Sequence, residues 1–444
     1  MLSRKTFLIL SYLISASLLP LSVQADDLWQ IYKFALTSDP QFRAARLNYD
    51  ATQENIPQAK ASLLPLVTAG AGHNRRTDDI SSDAQFVTDG RATFNRETAR
   101  ISLTQSIFDK PAKVRLSQAE LEVEQAAVQF DRAWENLAIR VAIRYFAVLS
   151  AHDNLEVALS EKKAIQRQLE LARERLEVGL GTRTDVYEAE ARFQLTEAEE
   201  IQAKSDIDDA RQALAEIAGI PIQSYSVLRD DAPLNSPEPN DVEHWIERAL
   251  DNNTAIRAQS LGVDIAKQEI VRNRAVLLPV VDFNVNQNYS DSDGGVSGPG
   301  SEAHSRDVIV QFSVPLYSGG LINSLTRQAG LRYDASQQNL ESVQRATRRV
   351  TRSSFLDVVT SIKRIAALQQ AIVASESAVR AKEEGFAAGL NTNVDVLDAQ
   401  RDLFGAKRNY LQARYNYILN VIALERAAGA LDEEDLGRVN DWLQ

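Results

Sequence analysis

The chain has 444 residues, of which 49 are Lys or Arg and 61 are Asp or Glu, so its formal charge of −12 disfavours nucleic acid as a partner. With no cysteine, it can form no disulfide, no thiolate metal site and no lipidated cysteine. Four histidines, His73, His152, His244 and His304, lack ligand spacing, and no phosphate-binding glycine loop or nucleophile elbow occurs, so neither enzyme chemistry nor a cofactor is expected.

In chain order, residues 1–25 read as a secretory signal: Arg4 and Lys5 precede an apolar run that is short, broken by serines and closed by Pro20 and the small-residue exit "VQA". A membrane helix is the weaker reading of this run. The next recognisable unit is "ASLLPLVTAGAG" from Ala61, a helical run stopped by Pro65, because proline disfavours helix in the residue before it and cannot donate within one. Strands are expected to follow. The polar stretch "HNRRTDDISSDAQFVTDGRATFNRE" reads as a long loop that leaves Phe86 and Phe94 exposed.

From Lys110 nothing breaks a helix before Gly179, since Pro111 sits acceptably in a first turn. Such a helix would run roughly 105 Å at about 1.5 Å per residue. Within it, Trp134, Ala138, Val141, Tyr145, Val148, His152, Leu155 and Leu159 alternate steps of four and three, the spacing of a coiled-coil seam, with His152 as a tolerated polar member. The helix ends in "VGLGT", and Thr182 with Asp185 three residues later reads as the capping box of the next helix.

Residues 220–240, rich in proline and of mixed polarity, read as a connector lying across the helices. Thereafter the parts repeat. "AVLLPVVDFNVN" at Ala275 is stopped by Pro279 and followed by alternation of Val281, Phe283 and Val285 with Asp282, Asn284 and Asn286; Val308, Val310, Phe312 and Val314 share that period. A second long helix is expected from about Leu321 to Gly389. "AAGLNTNVDVLDAQ" then repeats the earlier turn, and one constant offset relates Gly179 to Gly389, Thr182 to Thr392, Asp185 to Asp395 and Gly219 to Gly429. The chain thus reads as two structural repeats, 26–219 and 241–429, each a helix, two strands, a long helix, a turn and a helix, with 430–444 as a short acidic tail. A capping box accounts for Asp395 but leaves Asp398 unexplained.

The strand alternation fits either a half-buried soluble sheet or the lipid-out, water-in wall of a barrel. The long polar loops between the strands favour the barrel. About four strands fall short of the roughly eight that the smallest single-chain barrel needs, so several chains would share one.

Five segments, "LTQSIFD" at Leu103, "VGLGTRTDV" at Val178, "FSVPLYSGG" at Phe312, "VDVLDA" at Val394 and "ARYNYILN" at Ala413, occur in an order that resembles the TolC family of outer-membrane ducts. The resemblance covers essentially the whole mature chain. It implies a mainly α fold with a membrane β-barrel: a homotrimer whose chains give four strands each to a twelve-stranded barrel, continued by a long periplasmic coiled-coil tube. It also implies outer-membrane lipid around the barrel and recruitment by a periplasmic adaptor (membrane fusion protein) and an inner-membrane ABC or proton-driven transporter. The implied role is the exit duct of a type I secretion or multidrug efflux system in the outer membrane of a Gram-negative bacterium.

The resemblance places the two turns at the periplasmic end of the tube, where Asp395 and Asp398 would form stacked acidic rings at the channel aperture and bind blocking cations. Well-studied members latch the closed state through a tyrosine and an arginine that bond the aspartate matching Asp185; here those positions read as Phe386 and Asn391. Phe386 has no hydroxyl, and Asn391 offers only a neutral amide. A weaker latch, or one made by other residues such as Arg183, is therefore expected, and Asp185 reads equally as the acid of its own capping box. Gly179, Leu180, Thr182, Gly389, Leu390 and Thr392 resemble adaptor-docking turns, a use compatible with simple tight turns. The alternative to a duct is a periplasmic coiled-coil scaffold or adaptor without a channel.

Overall fold

A computed structural model of the chain describes residues 27–81, 90–222, 224–295 and 298–444. The signal reading of residues 1–25 and the exposure expected of Phe86 fall outside the described residues. The elements are α1 (Leu28–Ser38), α2 (Pro40–Gln53), α3 (Asn55–Ala61), β1 (Leu66–Ile80), β2 (Gly90–Phe108), α4 (Lys110–Glu177), α5 (Arg183–Ala218), α6 (Val242–Asn252), α7 (Thr254–Ala275), β3 (Val280–Gly295), β4 (Gly298–Ser313), α8 (Leu321–Ala387), α9 (Asn393–Ala427) and α10 (Glu433–Asn440). None of these helices is long and apolar enough to cross a membrane. They belong to two compact units.

One unit comprises Ala44–Ala133 and Leu250–Arg349. In it α3 and α7 end alike: Leu64 N–H bonds the Ala61 carbonyl at 3.2 Å and Leu278 N–H the Ala275 carbonyl at 3.0 Å, just before Pro65 and Pro279 open the strands. The four strands form one antiparallel sheet in chain order. Because side chains alternate, its faces differ in kind. On one, Val308, Val310 and Phe312 are exposed to 69%, 66% and 68%. On the other, Thr104 donates to Asn284 at 2.9 Å, Arg100 to Asn288 at 2.7 Å and Asn288 to Ser305 at 3.2 Å. Val314 lies beyond β4, because Pro315 offers no donor to extend the ladder.

The expected long loops are instead largely strand. β1 and β2 stay paired to Ile80↔Gly90, and β3 and β4 to Gly295↔Gly298. Composition suggested loops because these stretches are rich in Gly, Ser and Asp, but a continuous ladder of neighbours overrides intrinsic strand preference. Asp293, for example, accepts from both the backbone and side-chain amides of Asn95, at 2.7 and 2.9 Å. Phe94, expected to be exposed, is buried, with its Cβ close to where a side chain at Gly294 would lie.

The other unit runs up to Arg43 and includes Trp134–Ala249 and Val350–Gln444. Its core begins with α1, whose Leu28, Ile31, Tyr32 and Ala35 are fully buried, and Tyr32 meets Trp134 edge-on with ring centroids 6.1 Å apart. The connector is tied down by tyrosines: Tyr145 donates to the Ser226 carbonyl at 2.7 Å and Tyr417 to that of Asn235 at 2.9 Å. Gly219 caps α5 at φ +74°, where a Cβ would lie 2.6 Å from that of Ser38. Residues 430–444 are no loose tail. Their α10 buries Leu436 and Val439, and Leu443 pairs with Leu228 of the connector. The acidic composition of the tail hid an amphipathic face.

The seam on α4 holds from Ala138 to Val148, all of whose members are fully buried, and then moves. Leu159 is exposed, whereas Ala158, Glu161, Ile165, Leu169 and Ala172 take the buried side. A heptad specifies spacing, but which side is covered depends on the neighbouring helices. His152 sits with Nε2 3.1 Å from Arg211 Nη2, so the ring nitrogen accepts from the guanidinium; burial and that positive charge both lower its pKa.

Candidate functional site

The two glycine turns are built alike. After α4, Gly179 adopts φ +75°, and the Leu180 and Gly181 amides both bond the Arg175 carbonyl, at 2.8 and 3.0 Å. After α8, Gly389 adopts the same φ, and the Leu390 and Asn391 amides both bond the Gly385 carbonyl, at 2.7 and 3.2 Å. A left-handed residue at this position reverses the chain while satisfying the last helix carbonyls. Each following helix opens with a capping box, Thr182 with Asp185 and Thr392 with Asp395. Leu180 and Leu390 project at the tips, 73% and 83% exposed.

Glycine is required in the second turn for two different reasons. At Gly389 a side chain would strain the backbone, which costs about 1 kcal/mol. At Gly385 a Cβ would collide with Asn391 Nδ2, only 1.9 Å from its ideal position. Gly389→Ala is therefore expected to speed amide exchange across residues 385–395 about fivefold, and Gly385→Ala to speed it further. Equal protection in both variants and the wild type would contradict this account of the turn.

The carboxylates have distinct surroundings. Asp395 accepts from the Thr392 hydroxyl at 2.7 Å, the Thr392 amide at 2.9 Å and Lys382 at 3.2 Å, and these donors hold its pKa at about 2. Asp398, one turn on, meets Arg192 of α5 and Arg401 of its own helix, each at 3.2 Å. Asp185 spends its carboxylate on the Thr182 amide and hydroxyl, at 2.9 and 2.7 Å. It reaches its neighbour through its backbone instead, for its carbonyl accepts from Asn393 Nδ2 at 3.0 Å.

The two turns are held together by residues that sequence reasoning missed. Arg175, in the last turn of α4, donates to the Phe386 carbonyl at 3.2 Å and lies over the Phe386 ring at 4.4 Å. Gln168 donates to Asn393 Oδ1 at 2.6 Å, and both side chains are buried. Beneath them Ile165, Leu169 and Ala172 of α4 pack with Ala189 of α5 and Leu397 of α9. Phe386 is thus a buried platform for Arg175, and Asn391 belongs to its own turn. Arg183, named from the sequence as another latch residue, is exposed, and it is Arg175 that contacts Phe386. A readable signal did exist: Gln168 is a polar residue among the apolar positions Ile165, Leu169 and Ala172.

Residues 31–220 and 245–430 each match the family described as outer membrane efflux protein. The outer membrane protein TolC of Vibrio cholerae serotype O1 is 34% identical over 98% of both chains. The proteases secretion protein PrtF of Dickeya chrysanthemi is 30% identical over 95% of this chain and 92% of that one. Among solved structures, the outer membrane protein VceC of Vibrio cholerae superposes with a TM-score of 0.73 and 19% identity, covering 90% of this chain and 96% of VceC, which shows the shared fold. Long paired helices joined to four barrel strands, two glycine turns and a family match in both halves lead to one conclusion: this chain belongs to the outer membrane efflux protein family, the TolC-type ducts.

Proposed function

We propose that three copies of this chain form a passive outer-membrane exit duct, each giving four strands to a twelve-stranded barrel and its helices to a periplasmic tube. The observation that carries this reading is the sheet itself. It has an apolar face, a polar face and, among the described residues, unpaired outer edges at β1 and β4, and open edges do not occur in hydrocarbon. Further copies close it. The family match to 31–220 and 245–430 supports the two-repeat organisation.

The duct serves a tripartite secretion or efflux system, recruited by a periplasmic adaptor and an inner-membrane transporter that supplies the energy. The exposed Leu180 and Leu390 tips are the adaptor-docking turns. Asp395 and Asp398 ring the aperture, and Arg175 with Gln168 and Asn393 latches the closed state in place of Phe386 and Asn391. Opening is a shift in population between two helix arrangements, biased by partner contact.

Single-channel conductance in a planar bilayer tests the duct and its aperture together. Wild-type protein is expected to give a low, cation-selective conductance that a trivalent cation on the periplasmic side blocks. Asp395→Asn with Asp398→Asn should lose most of that block. Block of equal strength in the double variant would move the aperture elsewhere, and absence of any conductance would favour the scaffold.

A further inference from the structure

Away from the turns, the end of α9, the start of α6, Val358 of α8, the connector and α10 border an open cleft of about 510 Å³, a size within the range of small-molecule pockets. Trp245, Tyr417 and Trp442 line it, with Glu425 among them. The polar ends of two of these rings are already engaged, Trp245 Nε1 with the Pro239 carbonyl and the Tyr417 hydroxyl with that of Asn235, each at 2.9 Å. Tyr417 and Trp442 stack with centroids 6.3 Å apart. Arg248 already lies over the Trp245 ring, 5.7 Å from its centroid, so the rings left to offer π surface rather than hydrogen bonds are Tyr417 and Trp442.

The charge around Glu425 is uneven. From α6, Arg248 approaches its carboxylate only to 3.9 Å, and from α10 Arg438 only to 4.0 Å, while Arg438 bonds Asp435 much more closely. Against these two cations stand Glu238 of the connector, Asp432 and Asp435 of the α10 cap and Asp441 beyond it, besides Glu425 itself. Burial first, and Asp435 second, push the Glu425 pKa up to about 7 despite both arginines. The two arginines leave this half-buried carboxylate under-compensated.

From the cleft, its aromatic walls and its excess of carboxylates, we infer a binding site for a small organic cation, an arylalkylammonium ion with Glu425 as counter-ion and Trp442 against its apolar part. An ammonium group over aromatic faces gains electrostatic attraction that strengthens as water is excluded, and an adjacent carboxylate adds the ion pair. Binding requires ionised Glu425. With a pKa of about 7, the ionised fraction rises from about 10% at pH 6 to about 90% at pH 8, so affinity should rise about tenfold.

The probe is phenethylammonium chloride, charged at both pH values, titrated calorimetrically into the intact protein in detergent micelles. Wild-type protein is expected to bind one ion per chain, about tenfold more tightly at pH 8 than at pH 6. Glu425→Gln, close in shape and lacking the buried charge, should lose binding at both pH values. Trp442→Ala should weaken it about fivefold while keeping the pH dependence. Undiminished binding to Glu425→Gln, or a wild-type affinity that does not change with pH, would overturn the site. Since no pore-end residue takes part, the outcome is independent of the duct reading.

Discussion

Alanine at Arg175 and Asn393 together is expected to raise the resting open probability of the duct by about 30- to 1,000-fold. Arg175 contributes a cation–π contact and a bond to the Phe386 carbonyl, while Asn393 joins Gln168 to the Asp185 carbonyl in a buried setting. Removing each is estimated at roughly 1–2 kcal/mol, because a buried polar partner left alone bears its full desolvation cost. If both contacts exist only in the closed arrangement, the combined loss of about 2–4 kcal/mol acts wholly on the closed-to-open equilibrium. Bilayer recordings of the two single variants and the double variant would measure it. Arg175→Lys is the informative control, since it keeps the charge but loses the planar group that lies on the ring. An unchanged open probability in the double variant would leave these contacts with a packing role only. By contrast, Phe386→Tyr with Asn391→Arg has little to act on, because Asp185 is committed to its cap and Phe386 to Arg175.

Arg140→Ala carries the largest expected loss of stability. Its guanidinium spans both oxygens of Asp39, at 3.1 and 2.7 Å, and Asp39 is only 2% exposed. Breaking a buried pair from one side typically costs about 3–5 kcal/mol, since the remaining charge loses its counter-ion. Asp39 also receives the Phe42 amide at 2.7 Å, so the junction of α1 and α2 depends on the same carboxylate. Burial alone would raise the Asp39 pKa, but Arg140 and the Phe42 amide outweigh it, and the folded value lies below the ordinary 3.8. A depressed folded pKa means a contribution present above the unfolded value and lost as pH falls through the folded one. Wild-type protein should therefore keep this contribution at pH 5 and lose it as pH falls below the unfolded value and through the lower folded one. In Arg140→Ala, with burial no longer outweighed, the Asp39 pKa should rise above 3.8, and α1 should become more protected on mild acidification, where the wild type should stay unchanged. Hydrogen exchange over residues 28–43 between pH 4 and 7 distinguishes the two. Wild-type-like protection in Arg140→Ala would show that the pair contributes little.

Much of the frame was legible because it is local. Proline after "ASLL" and "AVLL" stops a helix wherever it stands, and glycine three residues before a threonine cap reverses the chain in either half. The length of α4 and α8 followed from the lack of any breaker, and the two faces of the sheet followed from the period of two in β3 and β4. Where composition stood in for geometry, the reading fell short. Polar residues in the hairpins remained strand because neighbouring strands satisfied their backbones, and the acidic tail folded because Leu436 and Val439 found the core of its unit.

By itself, then, the sequence determined the order of the strand pairs and long helices, the positions of the turns, the capping roles of Asp185 and Asp395 and the family. Only the tertiary structure decided that Arg175 reaches Phe386, that Asn393 bridges Gln168 and Asp185, and that Asp398 is shared by two arginines. The physical reason is one of range. Helix starts, stops and strand faces are set by residues within a few positions of each other, whereas a side-chain partner more than 200 residues away is chosen by helix packing, to which no local spacing gives access.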